Sequence, residues 1–294
     1  MTSTLPTPAA SATGATAAHP RLSINQATIE YAHLATALRV TADAGVTSIG
    51  LWREPVAEVG LDTAVQLVVD SGLRVSSLCR GGFFTNPEGP ARRAAINENR
   101  RAIAETAALG APTLVLVAGE LPEGSRDLVG ARARVRDTIG ELADEARAAG
   151  VTLAIEALHP MYVSDRAVVS TLGQALDIAE QFGSDAVGVV VDTFHVWWYP
   201  DLAAQVARAG AGGYIASYQV CDWATPLPAD VLLGRHYPGD GVIDFAAISE
   251  LVRTAGYTGD VEVEIFNQAI WDTPPAEAVA GTVASFGTAV APHL

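Results

Sequence analysis

Cysteine is scarce, basic side chains are outnumbered by acidic ones, and no apolar run is long. The 294 residues hold two cysteines, Cys79 and Cys221, both inside strongly apolar stretches. They are too far apart for a C-x-x-C pair and too few for a disulfide framework. A reduced, cytoplasmic setting is expected. Lys and Arg total 18 against 33 Asp and Glu, a net charge of −15. Nucleic-acid binding draws much of its affinity from cations placed on phosphates, so no nucleic-acid partner is expected. No uninterrupted apolar segment approaches the ~20 residues that span a bilayer, and no membrane partner is expected either. Two glycine signatures are missing as well. Neither G-x-G-x-x-G nor G-x-x-x-x-G-K-[ST] occurs, which removes the usual dinucleotide and nucleotide phosphate loops.

What is present is apolar material, 49% of the chain, with 17% charged residues. That suffices for one large core. Residues 1–20 are mostly Ala, Thr, Ser and Pro, lacking both the basic and the apolar regions of a signal peptide. They read as a disordered tail. From Arg21 one pattern recurs: a short β-rich run, a turn, then an Ala-rich amphipathic stretch usually closed by Gly. The strand-like runs are Leu22–Ile29, Thr47–Trp52, Arg74–Cys79, Thr113–Ala118, Thr152–Leu158, Val187–Phe194, Tyr214–Asp222 and Asp260–Phe266. Glycines 45, 72, 110, 150, 183, 210 and 256 stand where the intervening helices should stop. Eight such units predict an α/β fold, a single (β/α)8 barrel over residues 21–294. A doubly wound open sheet is the alternative, but it would normally carry one of the missing glycine loops.

In a barrel, reactive groups project from the C-terminal ends of the strands. Charged residues that interrupt or end apolar strands are therefore the candidates. Glu156 interrupts LAIEALHP, with His159 three positions on. Asp192 ends VGVVVD, with His195 following in TFHVWW. Gln219 lies in SYQVCD, and Glu264 ends VEVE. A carboxylate on a buried strand end costs several kcal/mol to desolvate unless a cation or donors meet it. Several converging on one mouth point to a divalent cation, and oxygen ligands suit Mn²⁺ best, with Mg²⁺ or Co²⁺ as alternatives. Taken singly, each carboxylate is equally compatible with a structural partnership to an Arg or a loop amide.

The succession IEALHP, VDTFHVWW, YQVCDW, GRHYPGDGVIDF and GYTGDVEVEIF resembles the xylose-isomerase-like barrel superfamily over about residues 21–290. The resemblance implies a metal held by Glu156, Asp192, Gln219 and Glu264, with Gln219 standing where the family has His. It implies His195 beside the substrate, and Arg235 or His236 as substrate contacts. Its endonuclease branch resembles a three-zinc site rich in His, and this chain has only six. The shared chemistry implied is proton abstraction next to a carbonyl of a sugar or keto-sugar, with Glu156, Glu264 or His159 as the base. Aromatic and basic residues at strand ends, Trp52, Arg80, Phe83 and Trp197 among them, suggest a larger or aryl-bearing substrate; the alternative is that half of them pack beneath loops. The segments SINQAT, GLWREP, SSLCRGGFFT and LPEGSRDL are also similar to the larger subunit of bacterial C-glycoside deglycosidases, carbon–carbon lyases acting on 3-keto-C-glycosides. That likeness implies an oligomer with a small second subunit and an aryl aglycone on the substrate. A non-catalytic, sugar-binding or regulatory barrel is the competing class, and it would be expected to lack at least one of the carboxylates.

Overall fold

The computed structural model describes residues 17–294. Most of the tail expected over residues 1–20 lies outside the described residues; within its last four, the His19 ring packs 5.8 Å from that of Phe286. The strands, in chain order, are β1 (Leu22–Asn25), β2 (Ser48–Trp52), β3 (Arg74–Gly82), β4 (Thr113–Val117), β5 (Thr152–Glu156), β6 (Val187–Asp192), β7 (Ile215–Val220), β8 (Asp222–Trp223), β9 (Arg235–His236) and β10 (Val261–Val263). Eight of them close a parallel barrel in the order β1-β10-β7-β6-β5-β4-β3-β2, while β8 and β9 form a small antiparallel hairpin. All eight anticipated runs supply a barrel strand. Each strand is shorter than its apolar run, except β3; most leftover residues turn out of the sheet into the following loop, while Thr47, Tyr214 and Asp260 precede their strands.

The outer ring follows the Ala-rich stretches. Helices Leu34–Asp43, Leu61–Ser71, Pro90–Ala108, Leu128–Ala148, Leu172–Ala179, Leu202–Gly212, Phe245–Thr254 and Pro275–Ala289 pack apolar faces onto the barrel wall. Gly72 closes its helix in the left-handed region, φ 69°, as expected of a C-terminal glycine. Gly210 does something else. It lies inside its helix, which ends instead at Gly213, and a Cβ there would come 2.5 Å from the Ala255 carbonyl oxygen. That position is glycine because two backbones approach closely.

Side chains along each strand alternate between wall and interior. Cys79, Val115, Ala154 and Val190 form a small apolar cluster distinct from the main core. Two positions further along β5 and β6 stand Glu156 and Asp192, at the end of the barrel where the strands finish.

Candidate active site

Four buried ionisable side chains meet at this mouth. Glu156 ends β5, Asp192 ends β6, Glu264 follows β10, and Arg235 opens β9. The Arg235 Nη1 donates to Glu264 Oε2 at 2.8 Å and to Asp192 Oδ2 at 3.3 Å. Its guanidinium lies over the rings of Phe194 at 4.7 Å and Phe266 at 4.9 Å, and Asn267 Nδ2 donates to its backbone carbonyl. Asp192 Oδ1 accepts from the Phe194 amide at 2.8 Å, capping the one-turn helix Thr193–Val196. That turn swings His195 back over the strand end.

The charges do not balance. One guanidinium faces three carboxylates. Burial, then the charges of Asp192 and Glu264, push Glu156 well above the usual carboxylate range. Burial raises Glu264 to about 7 against the opposing pull of Arg235, and it raises Asp192 against Arg235 and the Phe194 amide. Glu156 Oε1 is buried without any hydrogen-bond partner, a costly state for a carboxylate oxygen. Excess negative charge with an unmet oxygen is what a divalent cation would relieve, so the residues present fit one.

His195 is within reach of that cluster. Its Nδ1 accepts the His159 backbone N–H at 3.0 Å, and burial followed by Arg235 holds its pKa well below the ordinary value. Nε2 lies 3.2 Å from Arg235 Nη2, which can only donate, so both ring nitrogens of the neutral imidazole face donors. Nε2 lies 3.8 Å from both Glu156 Oε1 and Asp192 Oδ2. Glu156, Asp192 and His195 offer ligand atoms within 4.8 Å of one another, although both His195 ring nitrogens already face donors in the protein. Glu156, Asp192 and Glu264 are the oxygen donors.

The other anticipated residues divide. Gln219 is placed apart from the carboxylates: its Nε2 points to Glu262 Oε1 at 3.4 Å. Glu262 is the buried charge that sequence reasoning passed over, although the alternation in VEVE puts it on the same face as Glu264. It accepts from Asn25 Nδ2 at 2.6 Å, Ser76 Oγ at 2.6 Å and Ser77 Oγ at 2.9 Å. Gly50 leaves room for it, since a Cβ there would meet its carboxyl at 2.5 Å. Cys221, not Gln219, is the β7-side residue near Arg235, with Sγ at 3.9 Å. His159 caps the short Pro160–Tyr162 turn by accepting the Met161 amide on Nδ1, and its ring packs against Trp198 and Trp223. Trp197 packs edge-on against Trp223, and His236 pairs with Asp222 in the hairpin.

Trp52, Arg80 and Phe83 do line the cavity that opens above the carboxylates, a space of about 430 Å³. That volume falls within the range of small-molecule sites. Phe266, Leu232 and Arg166 line it too, and these went unanticipated because they follow strands or sit in loops with no periodic signal. Asp222 also gained a role. Its carboxylate accepts the amides of Trp223, Gly239, Gly241 and Ile243, all within 3.0 Å. It thereby ties down the loop that carries Arg235.

Comparison with known proteins places this geometry. The xylose isomerase-like TIM barrel family model matches residues 38–286. The crystal structure of protein SMc04130 from Sinorhizobium meliloti 1021 is 48% identical, with a TM-score of 0.89 over 92% of this chain and 98% of that one. An inosose isomerase of Halalkalibacterium halodurans is 27% identical over 67% of this chain and 68% of its own length. An L-ribulose 3-epimerase of Mesorhizobium japonicum is 30% identical over 46% of this chain and 40% of the epimerase. With the barrel closed as that architecture requires, the chain belongs to the xylose isomerase-like TIM barrel family.

Proposed function

We propose that this protein is a divalent-metal-dependent enzyme of sugar isomerase or epimerase type, moving a proton next to the carbonyl of a sugar or keto-sugar. The observation that carries the reading is the convergence of Glu156, Asp192 and Glu264, all buried, with one guanidinium between them. Isomerase and epimerase names among the relatives support it. Glu156, Asp192 and Glu264 would hold the cation, with Mn²⁺ the preferred ion for an all-oxygen set. When bound, it supplies polarisation of the substrate's carbonyl and hydroxyl oxygens, lowering the cost of the charge that develops there.

The protein's own residues do the rest. Glu156, whose Oε1 has no partner in the protein, takes the proton. Glu264, raised to about 7, stands on another barrel strand end and returns one, a division of labour suited to carboxyls that burial lifts above their usual range. His195 stands beside the substrate, with its Nε2 3.2 Å from Arg235 Nη2. Arg235 holds Asp192 and Glu264 in place and balances part of their charge. His159 is left to shape the turn and to hold the His195 ring through its amide.

A second reading follows from the aromatic wall of Trp52, Phe83 and Phe266. The same proton abstraction ends in carbon–carbon cleavage if the substrate is a 3-keto-C-glycoside with an aryl aglycone, and the partner is then a small second subunit. The test is incubation of Mn²⁺-loaded protein in D₂O with keto-sugars and 3-keto-C-glycosides, followed by mass spectrometry. Deuterium in an isomerised sugar supports the first reading, and free aglycone supports the second. Neither product from either substrate class would sink both and leave the sugar-binding barrel.

A further inference from the structure

The rim of the cavity carries two guanidinium groups without a hydrogen-bond acceptor. Arg80, in β3, has as its nearest carboxylate oxygen Glu54 Oε1 at 4.0 Å. Arg166, just past the Pro160–Tyr162 turn, has Asp165 Oδ2 at 3.8 Å, and its Nε is buried and unpaired. Among the described residues, the other arginines that are not solvent-exposed all donate to an acceptor in the protein. Both exceptions line the cavity that holds Glu156 and Glu264. Their side chains are 33% and 36% exposed at the cavity mouth, and with N–H groups that no protein acceptor meets they are placed to donate to a bound acidic oxygen.

Their surroundings say what kind. Arg80 lies 5.6 Å from the ring centre of Trp52 and 5.1 Å from that of Phe83, leaving its N–H edges free while its faces meet π clouds. Phe83 has φ 62°, a region that bulky side chains rarely enter. It is fixed there because its amide donates to Val117 O and the next amide, of Phe84, to Ala118 O. The result is an aromatic ring 38% exposed at the rim. Such a strained, exposed aromatic is characteristic of a ligand contact. Trp52 and Phe266 meet edge to face at 5.7 Å and continue the wall.

We infer that this rim is a subsite for a flat aromatic group bearing an acidic oxygen, a carboxylate or phenolate, carried by the same substrate whose sugar reacts below. The ring lies against Phe83 and Trp52, and the acidic oxygen accepts from Arg80 and Arg166. A phosphate is the lesser fit. It is more strongly hydrated, and the rim offers it apolar walls in Trp52, Phe83, Leu232 and Phe266 rather than a nest of backbone amides. This inference rests on the proposed function only in attaching the aryl group to a sugar; the subsite itself is testable without turnover.

The test is titration of the full-length protein with benzoate, benzyl alcohol or inorganic phosphate, read by calorimetry and by tryptophan fluorescence. Benzoate is expected to bind saturably and to perturb the tryptophan signal, with benzyl alcohol at least ten-fold weaker. Arg80→Gln should weaken benzoate about ten-fold. Phe83→Gly, which removes the ring while relieving the left-handed backbone, should weaken it several-fold without loss of thermal stability. Absence of benzoate binding, equal binding of phosphate, or benzoate binding unchanged in both variants overturns the inference. Benzoate binding as described alongside failure of the D₂O experiment would retain the subsite and discard the reaction.

Discussion

Glu156 and Asp192 are the residues on which the site stands or falls. Glu156→Gln and Asp192→Asn are each expected to abolish metal binding and turnover with it, Glu156→Gln also removing an acid–base group worth roughly 10²–10⁴-fold. Metal analysis and steady-state kinetics check this, and full metal stoichiometry in both variants would refute the site. Gln219 gives the opposite expectation. Because its carboxamide serves Glu262 rather than the carboxylates, Gln219→Ala should keep metal stoichiometry and lose about 1 kcal/mol of stability, one modest hydrogen bond, measured by urea unfolding. At this scale the sequence was legible wherever a charge ended an apolar strand, as at Glu156, Asp192 and Glu264. It was not legible where side-chain direction decides, as at Gln219, which has two layers of acid within reach of one β-strand, or at His159, whose amide and not its ring touches the site.

Among the elements, the Asp222–Trp223 and Arg235–His236 hairpin matters most, because it is the non-local device that brings Arg235 over the barrel. Nothing periodic marks two-residue strands eleven residues apart, so only the resemblance pointed to Arg235. Asp222 collects four backbone amides of this region. Asp222→Ala would strand buried donors and is expected to cost about 3 kcal/mol or more, visible as a lowered urea midpoint and faster proteolysis within residues 222–243. The barrel strands and their helices were readable because hydrophobic periodicity and terminal glycines agree. Helix Arg53–Val59 escaped notice because its Pro55 reads as a breaker, although proline is tolerated in a first turn. The rim residues Arg166 and Leu232 belong to loops whose placement comes from tertiary packing.

Across the whole molecule, the guanidinium of Arg235 is the only basic side chain hydrogen-bonded to the carboxylates at the barrel mouth among the described residues. Arg235→Met should therefore destabilise the metal-free protein by about 3–5 kcal/mol, the penalty for stranding buried charge. Added Mn²⁺ should restore much of that loss, whereas in the parent chain the same addition should raise the unfolding temperature less. Thermal unfolding with and without chelator decides it; equal metal effects in both proteins would contradict the role given to Arg235. A barrel that carries one counter-ion of its own has less carboxylate repulsion to overcome before a metal arrives. Such a chain is expected to fold in chelating buffer and to take up the proposed metal afterwards, in which case the ion it works with would be chosen by supply at the moment of loading and not at the moment of birth.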